Sequence, residues 1–119
     1  MYNLVKIGDK SVPMLAMASV DLFYRNIFHE DAVKLQASSP DEGDIINFMS
    51  RMAFVMAKYA ELRDRKEMNK LNEDNYLEWL EQFERMDFFN ALIDVRLTYE
   101  GQQITSSDAK KKDGTPTDL

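Results

Sequence analysis

The sequence predicts a mainly helical small domain that opens with a β-hairpin and closes with a disordered polar tail. Three observations support this fold class: two strand-like runs at the start, helical periodicity between residues 19 and 99, and a polar composition from Gly101 onward. We therefore place a single helical domain with its N-terminal hairpin at residues 1–101 and a disordered polar tail at 102–119. A chain of 119 residues has room for one such core.

The hairpin is predicted from two short runs, residues 2–7 and 11–16, around Gly8-Asp9. A Gly-Asp pair suits a two-residue hairpin turn. Because Pro13 has no N–H to donate to a neighbouring strand, it places the second strand at a sheet edge. A lone hairpin is only marginally stable in water. We therefore expect this one to pack on the helices or to pair with another subunit.

The first helices are predicted from their capping residues. Ser19 is placed to cap a helix over residues 19–28, and Asp31 to cap a short helix that ends near Gln36. Ser39-Pro40-Asp41-Glu42 has the form of a capping box, with Ser39 as the N-cap and Glu42 reaching back to it. This box predicts the start of a long helix that reaches Leu62, with room to continue into the charged segment 63–67.

Two further helices are predicted after residue 70. Asn72 is placed as an N-cap, and the stripe that follows consists of Tyr76, Leu77, Trp79, Leu80 and Phe83. The phase of the apolar stripe then changes, which indicates a kink or a new helix start capped by Asp87. The new face consists of Phe88, Leu92, Val95 and Tyr99, with Phe89, Ile93 and Leu97 beside it.

The segment from Ile45 to Leu62 has an unusually wide apolar surface, because its apolar residues cover roughly 220° of a helical wheel. A helix that packs on one core usually needs a stripe of about 100°. We therefore expect burial on more than one side, by the domain itself, by other subunits or by a client chain. Phe54 lies within the polar sector, so we predict it to be an exposed contact. Methionine adapts to irregular partners, and the candidate protein-interaction residues are Met49, Met52, Phe54 and Met56.

The composition argues against catalysis and against several classes of partner. His29 is the single histidine, cysteine is absent, and neither a phosphate-binding nor a dinucleotide-binding glycine motif occurs. We therefore expect no enzyme activity, no cofactor and no metal. A net charge of −6 disfavours nucleic-acid binding, which needs a basic face. No window approaches 18 apolar residues, so we expect no membrane association.

Four segments, taken in order, have a pattern that resembles one known family. They are Leu4-Val5-Lys6-Ile7-Gly8-Asp9-Lys10 with Val12-Pro13-Met14, then Tyr24-Arg25-Asn26-Ile27-Phe28-His29-Glu30-Asp31, then Phe48-Met49-Ser50-Arg51-Met52-Ala53-Phe54-Val55-Met56-Ala57, and Glu78-Trp79-Leu80-Glu81-Gln82-Phe83. In this order they are similar to the tail assembly chaperones of long-tailed, siphovirus-type phages and prophages of Gram-positive bacteria. None of the four segments is a catalytic signature.

The resemblance implies a non-catalytic role in building a phage tail. Such proteins coat the tape measure protein, assist assembly of the tail-tube protein around it, and leave before the virion is complete. It further implies self-association and a location in the host cytoplasm. Two other functions remain open from the residues alone: a small helical adaptor that binds one folded partner, and a permanent tail or connector component.

Overall fold

A computed structural model describes residues 1–104 of the chain, and the part of the predicted tail from 105 to 119 lies outside the described residues. The described part is mainly helical with an N-terminal hairpin, which confirms the predicted fold class. Its elements are β1 (Tyr2–Ile7), β2 (Lys10–Leu15), α1 (Val20–Phe28), α2 (Ala32–Ala37), α3 (Glu42–Leu62), α4 (Arg65–Met68), α5 (Glu73–Leu80) and α6 (Arg85–Tyr99).

The hairpin is an antiparallel pair in which Leu4 lies opposite Pro13. Its two-residue turn needs a glycine, because Gly8 has a φ of +65° and a Cβ there would lie 2.7 Å from Asp87 Oδ2. Residues of β1 alternate between buried and exposed, as expected for a strand with one face on a core. That inner face packs against α6, while β2 packs against α3. Since the described sheet has two strands, β2 is an edge strand, as Pro13 predicted.

The central element of the fold is α3, which contacts β2, α1, α4, α5 and α6. Its middle is buried on all sides, whereas its first turns are exposed. The wide apolar surface read from the sequence is therefore covered by the domain itself along most of the helix. Its buried residues are Phe48, Met49, Met52, Ala53, Phe54, Val55, Met56 and Ala57.

The expected exposure of Phe54 is wrong, because its side chain is 0% exposed. The polar sector of α3 does not face solvent at this point, since α5 packs over it. The Phe54 ring centroid lies 5.6 Å from that of Tyr76 and 5.7 Å from that of Trp79. Met52 and Met56 are also fully buried. A helical wheel cannot show this arrangement, because it contains no information about which helix covers which sector.

The start of α3 differs from the predicted one, whereas the helix reaches Leu62 as predicted and does not continue into the charged segment. Ser39 has a φ of +56° and is not the N-cap. The N-cap is Asp41, whose Oδ1 accepts a hydrogen bond from the Asp44 N–H at 2.8 Å. Arg63 adopts a left-handed conformation with a φ of +50°, so α3 ends at Leu62. The charged segment that follows is a separate short helix, α4, capped by Asp64.

The other predicted caps had mixed outcomes. Asp31 and Asn72 cap α2 and α5 through side-chain oxygens, and Asn72 forms a reciprocal capping box with Asn75. Ser19 has helical backbone angles and makes no side-chain cap bond. A new helix does start where the stripe changes phase, but it begins after Glu84. Asp87 therefore lies inside the first turn of α6 and is not its cap.

The described chain continues beyond the predicted domain boundary at residue 101. Asn3 Nδ2 donates a hydrogen bond to the Gln102 carbonyl at 2.9 Å, and the Ile104 N–H donates to Asn3 Oδ1 at 3.4 Å. Ile104 is half-buried against the core. Residues 102–104 thus belong to the folded domain, because the buried side chain of Asn3 supplies partners for backbone groups that composition alone assigned to the tail.

Candidate protein-binding groove

An apolar groove opens between the exposed start of α3 and the outer side of α6, and we call it the α3–α6 groove. Its volume is about 310 Å³. Six apolar side chains line it: Ile45, Ile46, Met49, Phe89, Leu92 and Ile93.

The helical spacing of the lining residues explains how the groove forms. Ile45 and Met49 are four residues apart on α3, and Phe89 and Ile93 are four apart on α6, so each pair shares a helix face. Ile93 is 73% exposed and Phe89 is 47% exposed, although both are large and apolar. Because α6 directs Ala91, Leu92 and Val95 inward, its other apolar flank has no partner within residues 1–104.

The groove continues toward α2 as a second depression of about 260 Å³. The two cavities share Ile45, Met49 and Arg96, so they form one surface. The second depression adds Leu35, Pro40, Phe48 and Tyr99 to the lining. A contiguous apolar surface of this kind on a small protein marks an interaction site more often than chance exposure does.

Charged groups lie at both ends of this surface. Arg96 Nε donates to Glu100 Oε2 at 3.1 Å, one turn along α6. Exposed acidic residues, Glu42 and Asp44, occupy the first turn of α3. The groove therefore has an apolar floor and a charged rim of both signs, which is the usual composition of a protein-binding surface.

Only one of the four predicted interaction residues lines the groove. Met49 does so, whereas Met52, Phe54 and Met56 lie in the core. Sequence reasoning placed Phe89 and Ile93 beside the apolar face of the last helix but did not assign them to a surface. The sequence feature that could have indicated this surface is that α6 has more apolar residues than one core-facing stripe requires.

A partly buried polar cluster joins α1, α3 and the start of α5, where Glu73 Oε2 lies 3.9 Å from Arg51 Nη2. The Tyr24 hydroxyl donates to Glu30 Oε1 at 2.5 Å, and Arg51 Nη1 lies 3.5 Å from the same oxygen. The Arg51 guanidinium also stacks 5.1 Å above the Phe28 ring. Burial, together with the hydrogen bond to Glu30, raises the pKa of Tyr24 well above its ordinary value. These contacts hold the helices together, and within residues 1–104 the buried Arg51 Nε is left without a hydrogen-bond partner.

Neither a metal site nor a membrane-spanning helix is found in the described part of the chain. Among residues 1–104, no group of three or more His, Asp or Glu side chains is placed to hold a metal ion. No helix of this part is long and apolar enough to cross a membrane. His29, the single histidine, is exposed in a left-handed conformation after α1.

The sequence matches no protein-family model, and neither the curated proteins nor the solved structures compared with it include a match. The class of protein is therefore defined by the fold and the surface alone. It is a small helical domain with a hairpin on one side of its central helix and an apolar groove between two helices.

Proposed function

We propose that this protein is a binding protein without catalytic activity, and that its α3–α6 groove holds an amphipathic helix of a client chain. One observation carries the proposal: large apolar side chains of two neighbouring helices, including Ile93 and Phe89, line an open groove. Grooves between helices commonly receive the apolar face of a partner helix. The charged rim would meet the polar flanks of such a helix.

The client that we propose is the tape measure protein of a long-tailed phage or prophage, with the chain acting as a tail assembly chaperone. Support comes from the resemblance of four ordered segments to that family and from the groove itself. A tape measure protein is a long helical chain whose apolar stripes would self-associate if uncovered. A groove floored by isoleucine, phenylalanine and Met49 is suited to varied stripes, because apolar packing imposes no strict sequence code.

On this proposal the chaperone acts in the host cytoplasm, assists assembly of the tail-tube protein, and is absent from the mature virion. Each contact along the client would be weak by itself. Many copies on one long client would bind with avidity, since each later contact forms at a high effective concentration. Self-association of the chaperone would increase this effect.

The proposal is tested by co-expressing the chain with the tape measure protein of the same genome and measuring the soluble client. Ile93→Glu places a charge in the groove and should reduce the soluble client more than about tenfold, the loss expected for an interface anchor. Leu22→Glu is the matched control, because Leu22 is 57% exposed on α1 and does not line the groove.

If the Ile93→Glu variant folds and keeps the client as soluble as the wild type does, the α3–α6 groove is not the client site. The composition of purified virions tests the biological role separately. Presence of the chain there at fixed stoichiometry would favour a permanent tail or connector component, and a fixed complex with one folded protein would favour an adaptor.

A further inference from the structure

We propose that the outer edge of β1, the edge that faces away from β2, pairs antiparallel with β1 of a second copy of this chain, about a two-fold axis at Leu4. This surface belongs to the hairpin and does not include the α3–α6 groove, so the proposal is independent of the client. Its basis is the direction of the backbone groups of β1, the asymmetry between the two sheet edges, and the pairing of side chains across the axis.

The hydrogen-bond pattern of the hairpin fixes which backbone groups point outward. The Ala16 N–H donates to the Met1 carbonyl at 2.8 Å, and the Met1 amino group donates to the Ala16 carbonyl at 2.7 Å. Bonded and non-bonded pairs alternate along antiparallel strands. Counting from this bonded pair along the register, Tyr2, Leu4 and Lys6 stand in non-bonded pairs. Their N–H and C=O groups therefore point away from β2.

The two edges of the sheet differ in their capacity to accept another strand. Pro13 stands opposite Leu4 in a non-bonded pair, so the β2 edge lacks an outward N–H at its centre. The β1 edge contains no proline. Within residues 1–104, no backbone group outside the hairpin bonds to the outward groups of Tyr2, Leu4 or Lys6. Residues 102–104 bond to this strand through the side chain of Asn3, and Gln103 and Ile104 line a depression beside Tyr2, Leu4 and Lys6.

The outer face of β1 is suited to burial against a second copy. Tyr2 and Leu4 are exposed on this face, and Leu4 is 53% exposed. Although the whole chain has a net charge of −6, residues 1–8 contain no acidic side chain. Pairing of two β1 strands therefore brings no two carboxylates of these strands together. Pairing would also convert a two-stranded sheet, which is marginal by itself, into a four-stranded one.

The register follows from charge and from the outward groups together. A two-fold axis at Leu4 places Leu4 opposite Leu4 of the second copy and Tyr2 opposite its Lys6, and all outward N–H and C=O groups are then paired. Each lysine meets an aromatic ring, a favourable cation–π arrangement. An axis at Lys6 would place two lysines opposite each other, which is destabilising. An axis at Tyr2 would place Leu4 and Lys6 beyond β1 of the second copy, which begins at Tyr2.

Disulfide trapping tests this pairing directly, because the chain contains no cysteine. Residues opposite each other in a bonded antiparallel pair have Cα atoms about 5.5 Å apart, within the range of a disulfide. A Leu4→Cys variant should therefore form a covalent dimer under mild oxidation. Leu22→Cys is the matched control, since Leu22 is similarly exposed but lies on α1. Equal rates of dimer formation for the two variants would overturn the proposal.

The register is tested by mixing two further variants. Tyr2→Cys and Lys6→Cys should cross-link with each other, whereas each variant alone should cross-link several times more slowly, since each cysteine then faces a non-cysteine residue. Mass spectrometry identifies the mixed disulfide. Faster cross-linking of Lys6→Cys with itself would contradict the axis at Leu4.

Sedimentation velocity over a concentration series measures the pairing without a cross-link. The full chain should dimerise, and Leu4→Glu should weaken the dimer more than about tenfold, because two carboxylates then lie opposite each other. Retained helical circular dichroism would show that the variant folds. A monomer at all concentrations overturns the proposal. If the chain dimerises only when it is shortened to end at Ile104, the proposal is also overturned, since the chain's own last residues would then occupy the edge.

Discussion

Asn3 Nδ2 donates a hydrogen bond to Thr98 Oγ1 at 2.9 Å, which joins the first strand to the last helix across 95 residues of sequence. The Thr98 hydroxyl in turn donates to the Asp94 carbonyl at 2.8 Å. Asn3 and Thr98 are the two buried polar side chains of the described core. Buried polar groups must be hydrogen-bonded to be tolerated. This pair therefore fixes how the hairpin sits on α6.

Replacing Asn3 should destabilise the fold because it leaves buried partners without hydrogen bonds. Asn3→Ala should lower the free energy of unfolding by about 1–3 kcal/mol, measured by urea denaturation. Thr98→Val should also destabilise the fold. The double variant should lose less unfolding free energy than the sum of the losses in the two single variants, because Asn3 and Thr98 share one hydrogen bond. Strict additivity in this double-mutant cycle would show that the two side chains do not interact.

Two truncations isolate the contribution of residues 102–104. A chain that ends at Gly101 should be less stable than one that ends at Ile104, because the shorter chain loses the bonds to Asn3 and the apolar contact of Ile104. We expect a difference of about 1–3 kcal/mol in unfolding free energy. Equal stability of the two truncated chains would mean that these residues dock without contributing to the fold.

Phe54 should behave as a core residue in stability measurements. Phe54→Ala removes a ring that packs against Tyr76 and Trp79, and should lower the unfolding free energy by about 3–5 kcal/mol. Phe89→Ala is the control in the groove. It should change the unfolding free energy by less than about 0.5 kcal/mol, as is usual for surface positions. Similar losses for the two variants would contradict the separation of core from groove.

The raised pKa of Tyr24 leads us to expect a loss of stability at alkaline pH. Because burial and the bond to Glu30 raise its pKa, the folded protein keeps this proton at pH values where the unfolded chain, with an ordinary tyrosine pKa of about 10, releases it. The unfolded state then binds fewer protons. The contribution of Tyr24 to the free energy of unfolding is therefore fully present below about pH 10 and falls above it. The contribution of this residue is at most about 1.4 kcal/mol per pH unit.

This expectation is tested by urea denaturation between about pH 8 and pH 11, a range that brackets the ordinary tyrosine pKa of about 10. Tyr24→Phe should be less stable than the wild type at pH 8, because Glu30 loses its hydroxyl partner. Its stability should then fall less steeply with pH than that of the wild type. Parallel pH profiles would show that this hydroxyl does not stay protonated in the folded state.

Local signals in the sequence predicted the elements that depend on neighbouring residues. The hairpin turn follows from Gly8-Asp9, the edge position of β2 from Pro13, and the start of α5 from Asn72. These features are set by backbone sterics and by hydrogen bonds within a few residues, so no distant partner changes them. Ser39 failed as a cap because Asp41, two residues later, offered the same chemistry at the first helical turn.

What the sequence determined by itself was the class of fold and the need to bury α3 on more than one side. Which residues are covered was decided by the tertiary structure. Periodicity gives each side chain an angle around its helix, but only the packing of α5 over Phe54 made that side of α3 a core. Likewise, the absence of any described element over Ile93 made the outer flank of α6 a groove. The physical reason is that burial is a property of pairs of elements, and it cannot be read from either element alone.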